Sequence, residues 1–229
     1  MVGLVLSDAT EAVVKTAVRR KQILAQVATA LPDFALAATF LITWIFPRAL
    51  GENRIASLML LMLFEFIAVH SSIVMGHVLG LGQSRALKSA VLVGLGIVYS
   101  ILTGAIALAL DTWWPVLALW GLALNRLMLV WSARVLERRE REAVAIGWVA
   151  GVLFYVTLAM ATAFLPIPAL GVTPAVWEPQ RPAGTGVWLD QPQRVLAFGL
   201  LYFIAMGLTE ISIEKWLKRP PPGHHPLDR

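Results

Sequence analysis

The chain contains no cysteine, which removes disulfides, thiolate metal ligands, iron–sulfur clusters and thiol nucleophiles together. Charge is scarce too: Asp, Glu, Lys and Arg make up 14% of the 229 residues, against about a quarter in a soluble domain. Only four histidines occur, and two of them, His224 and His225, lie in the closing PPPGHHP stretch. No GxSxG, HExxH or P-loop pattern is present, and the GLG beginning at Gly94 lies inside an apolar run rather than after a strand. An intramembrane serine protease would need a serine at a helix start and a histidine on another crossing, a combination the chain lacks. No catalytic residue and no metal site is assigned, and an enzyme is the less favoured class.

What the chain has in quantity is hydrophobicity. Apolar residues account for 58% of it and the mean hydropathy is +0.73, which points to an all-α polytopic membrane protein. The net charge of +5 is spread over short segments between apolar runs, so the basic residues read as topology determinants and not as a nucleic-acid surface. MVGLVLSDATEAVV at the N-terminus lacks a basic n-region, so insertion is expected to depend on internal segments.

Residues 1–30 are expected to hold an amphipathic helix, cytoplasmic or on the membrane surface. Ser7 or Asp8 can cap it, Lys15, Arg19, Gln22 and Gln26 recur on one side, and Val14, Ala17, Val18, Leu24 and Ala28 lie on the other. A bundle of six crossings is expected to follow, at about 33–50, 55–79, 87–110, 113–133, 143–165 and 195–214. The first is ambiguous, because the apolar run before Pro47 is short. It either extends forward to Leu50, or reaches back towards Ile23 and buries Pro32 and Asp33. Gly96, Ser100 and Gly104 on the third crossing, and Gly147 and Gly151 on the fifth, mark faces small enough for close approach. Residues 166–193 form the one long loop, expected to be extended because six of its 28 residues are proline. Residues 218–229 are expected to be a disordered cytoplasmic tail.

Six crossings place both termini on one side. Of the 19 Lys and Arg residues, 14 then fall on that side, four on the other and Arg126 inside a span. This asymmetry puts both termini in the cytoplasm and the proline-rich loop outside, as in a multi-pass protein of a bacterial inner membrane.

The segment Ile55 to Leu79 is unusual in carrying Glu65, His70, Ser71, Ser72 and His77 within an apolar run. At 1.5 Å per residue from the outer ends of their helices, Glu65, Arg126, His70, Tyr99 and Tyr155 fall about 15 to 22 Å deep. A buried polar cluster of Glu65, His70, Asn125, Arg126, Tyr99 and Tyr155 is therefore expected, with Glu65 as the acceptor that Arg126 needs. His70 and His77 share a second face about 140° from Glu65, a candidate surface for a ligand or partner. Their imidazoles are roughly 10 Å apart along the axis, too far to share an ordinary metal ion. Haem or pigment ligation at His70 or His77 would need a ligand from elsewhere. Asp33 and Glu210 are secondary candidates.

Three functional classes follow from these residues. The cluster lines the path of a small transporter or proton-linked permeation protein, or it ties helices together in a structural or accessory subunit of a larger complex. The third class is a haem- or pigment-binding protein. The partners expected are the lipid bilayer and either a second copy or a larger membrane complex, with no nucleic acid.

Overall fold

In a membrane every backbone N–H and C=O must be satisfied within its own segment, so long apolar runs fold as helices. The computed structural model describes residues 30–80, 84–109, 113–131 and 138–217, and every regular element among them is helical. The principal helices are α1 (Ala30–Ile45), α2 (Arg54–Gly80), α3 (Arg85–Ala109), α4 (Trp114–Trp131) and α5 (Arg138–Phe164). Short α6 (Pro174–Trp177), a 3-10 turn (Glu178–Gln180), short α7 (Val187–Asp190) and long α8 (Pro192–Leu217) complete the order. Four helices are long and apolar enough to cross a membrane, with spans Arg54–Ser71, Arg85–Leu108, Glu142–Phe164 and Pro192–Ile213. The amphipathic helix expected over 1–30 falls almost entirely outside the described residues, as do the tail 218–229 and the His77 side chain.

The first crossing differs from the forward reading. α1 stops at Ile45, and residues 47–50 form a turn, because Pro47 has no N–H to continue the helix. Gly51 (φ 103°) and Asn53 (φ 58°) then take the left-handed backbone that sends the chain back into α2. At the other end of the same helix, Pro32 and Asp33 lie within α1.

Two apolar clusters hold the helices. The larger joins α1, α2, α5 and α8 around Phe40, Met62, Tyr155, Phe198 and Tyr202. Here Gly199 lets α1 and α8 meet, since a Cβ at that position would collide with the Phe40 ring. The smaller cluster, Leu92, Ala123 and Val130, joins α3 to α4. The glycine faces are used differently from each other. Gly147 and Gly151 of α5 receive Ile213 and Met206 of α8, whereas Gly96 of α3 receives the Trp120 ring, whose Nε1 donates to Ser100 Oγ at 3.0 Å.

Residues 166–191 are extended only in part, as at Thr173 and Arg181; with their short helices they fold into a cap over one end of the large cluster. Gln180 Oε1 accepts the N–H groups of Ile55 (3.1 Å) and Ala56 (3.3 Å), and so caps α2 from a distant part of the chain. Trp44 Nε1 donates to the Pro168 carbonyl at 3.0 Å, and the Gly171 N–H to Trp44 O at 3.1 Å. Trp177 Nε1 donates to Leu189 O at 2.8 Å, and Arg181 meets Asp190 Oδ1 at 2.8 Å, so α6 and α7 close on each other. Proline fixes φ, and in α6 and the 3-10 turn it occupies the first helical positions, where the missing donor costs nothing.

Candidate functional site

Helical spacing brings an acid into the core. Ile55, Leu58 and Met62 form the buried stripe of α2, and Glu65 is its next position. Val195, Phe198 and Tyr202 form the corresponding stripe of α8. Where the stripes meet, Tyr202 Oη donates to Glu65 Oε1 at 2.8 Å. Tyr155 of α5 lies edge-on to Tyr202, with ring centroids 5.6 Å apart, and its hydroxyl donates to Met62 O at 2.8 Å. Three helices thus converge on one carboxyl.

The surroundings are acidic. Asp33 on α1 is close enough to Glu65, Tyr202 and Glu210 to interact with them electrostatically. Glu210 Oε2 is buried and has no hydrogen-bond partner among the described residues. Among the described residues no salt bridge reaches Asp33, Glu65 or Glu210. From Glu65 the acids lead towards the end of the bundle opposite the cap, because α1 runs antiparallel to α8 with Phe34 against Gly207 and Phe40 against Gly199.

The expected ion pair between Glu65 and Arg126 does not form among the described residues. Register is the reason. Phe64 packs against Trp114 with centroids 5.2 Å apart, so α4 begins level with the middle of α2 and Arg126 lies about 18 Å further along. Trp120 against Ser100 and Trp131 against Ser89 fix the same register on α3. Arg126 is half-buried, and its Nε has no partner among the described residues. Asn125 is exposed, and neither it nor Tyr99 hydrogen-bonds to Glu65 among the described residues. His70 is also exposed and packs against Phe66 at 4.4 Å between ring centroids. Of the expected cluster, Glu65 and Tyr155 are brought together, with Asp33 and Glu210 nearby.

Sequence reasoning missed Tyr202, Gln180 and Arg194. Tyr202 had a signal: ten residues into α8 it lies about 15 Å from the helix start, the depth of Glu65. Arg194 reads only as a loop charge, yet its Nη1 donates to the carbonyls of Thr162, Ala163 and Leu165, and its Nε to Gln191 Oε1. It closes the C-terminus of α5, where a cation also suits the helix dipole. No group of three or more potential metal ligands occurs among the described residues.

The chain shows no match to any protein-family model, curated protein or solved structure.

Proposed function

We propose that this chain is a six-crossing membrane protein that passes protons, with Glu65 as the carboxyl that takes them up and releases them. The observation carrying this reading is the Tyr202 to Glu65 hydrogen bond of 2.8 Å at mid-helix, without a salt bridge among the described residues. A carboxylate held away from water without a cation is costly, and exchanging its charge for a proton removes that cost. The Tyr202 hydroxyl both donates and accepts, so it serves the carboxyl in either state. Asp33 and Glu210 supply the next acidic groups towards the end opposite the cap.

In this reading α1 and α4 complete the six crossings, both termini are cytoplasmic and the cap is outside, in a bacterial inner membrane. The N-terminal segment lies at the cytoplasmic membrane surface. Proton flux tests it: proteoliposomes under a potassium diffusion potential acidify or alkalise according to its sign, and Glu65→Gln abolishes the response at unchanged folded yield. Equal flux in Glu65→Gln, or none in the parent chain, contradicts it.

A second role, as an accessory or self-associating subunit, is favoured by one observation. His70 and Asn125 are exposed on helices of the bundle, and Arg126 Nε has no partner among the described residues, and polar groups facing lipid favour association. Mass and visible spectrum in mild detergent test it. A dimer or co-purifying subunit supports association, a haem or pigment band supports ligation at His70 or His77, and a colourless monomer contradicts both.

A further inference from the structure

We propose that the cap, residues 166–191, is the gate on its side of the Glu65 centre, and that the Gln180 side chain is its latch. What the gate admits rests on the proton reading above, whereas its geometry stands independently.

A column of aromatic rings runs from the cap to the acid. Trp188 of α7 stacks on Phe198 at 5.5 Å between centroids, Phe198 meets Tyr155 edge-on at 4.8 Å, and Tyr155 meets Tyr202, which holds Glu65. The first two contacts are made by ring faces and edges, an apolar seal on the cap side of Tyr155. On the opposite side of Glu65 lie Asp33 and Glu210, both able to hold water. The site is therefore closed towards the cap. The outermost ring of the seal belongs to α7 and not to a long helix, so lifting α7 removes Trp188 while the contacts of Trp44 with Pro168 and Gly171 stay in place.

The cap is joined internally, is tied to α1 through Trp44, and is hydrogen-bonded to the helix that carries Glu65 through Gln180. Trp177 to Leu189 and Arg181 to Asp190 join α6, the 3-10 turn and α7 internally. Gln180 bridges outward: its Nε2 donates to Val176 O at 2.8 Å within the cap, while its Oε1 takes the first amides of α2. Beside it lies a cavity of about 210 Å³ lined by Arg48, Glu52, Asn53 and Gln180 among others. Water in that cavity can replace Gln180 at the α2 amides, so the latch opens by exchange of hydrogen bonds and not by their outright loss.

The absence of native cysteine makes the test clean. Val195, wholly buried in the first turn of α8 beside the cap, is replaced by cysteine and exposed to a membrane-impermeant maleimide on the cap side. Labelling is slow in the Val195→Cys chain and rises about two- to tenfold with Gln180→Ala, the factor expected when one net hydrogen bond's worth of closing is lost. Gln180→Glu keeps an acceptor for the α2 amides but loses the donor to Val176 O, and slows labelling only part of the way back. Unchanged labelling in Gln180→Ala overturns the gate.

If Gln180→Ala folds poorly, hydrogen exchange on the unaltered chain decides. The amides of Ile55 and Ala56 exchange together with those of Trp177 and Asp190, ahead of the α8 core; exchange only with global unfolding overturns the gate. Cap-dependent labelling without flux refutes the proton reading and leaves the gate, while flux with cap-independent labelling does the reverse.

Discussion

A carboxyl in the position of Glu65 needs a donor from another helix, because the α2 amides around it are committed to their own ladder. Tyr202 is that donor. Removing its hydroxyl takes the one described donor from a half-buried acid, so Tyr202→Phe is expected to destabilise the protein by about 1.5–3 kcal/mol in detergent unfolding. Stability equal to the parent would show that Glu65 is solvated by other means. Arg194→Ala removes the donor to the carbonyls of Thr162 and Ala163 in α5 and of Leu165 just after it and is expected to cost about 1–3 kcal/mol. Arg194→Lys recovers part of it, since one ammonium cannot reproduce the guanidinium fork. At this scale the sequence was legible wherever depth along a single helix sufficed, as for Glu65 and Tyr155. It misled for Arg126, because depth was counted from a shared outer boundary while packing of Trp114 on Phe64 sets α4 deeper.

Between helices the contacts are set by single small residues. Gly199 admits the Phe40 ring so closely that any side chain must displace it. Gly199→Ala is expected to cost about 1–3 kcal/mol through overpacking. Phe40→Leu in the same chain relieves part of that cost in a double-mutant cycle. Additive effects would mean that α1 and α8 do not meet there. The glycine pattern announced close approach on α3 and α5, but not what approached, because a tryptophan ring and a helix face leave the same signature in sequence. The proline-rich stretch was misread for a related reason. Proline also fits the first turn of a short helix, and only contacts such as Gln180 with α2, made across the whole bundle, select that use over an extended chain.

Across the whole molecule, the hydropathy that announced a helical membrane protein agrees with four helices long and apolar enough to cross. The proposed six-crossing topology adds a sidedness that labelling reads directly. Cysteine at Ala183 in the cap is expected to react with an impermeant maleimide from outside, and cysteine at Ser84, before α3, only after the membrane is opened. Reaction of both from one side contradicts the topology. In the proposed function Glu65, between an aromatic column and an acidic side, exchanges a proton. A hydrophobic carbodiimide reads that carboxyl itself, because the acid O–H adds across its C=N bond within the membrane, and the N-acylurea formed by rearrangement is located by mass. Adduct at Glu65 that forms faster as the pH is lowered, and is absent from Glu65→Gln, is the result expected. Glu65 left unmodified at every pH while Asp33 or Glu210 react would contradict it.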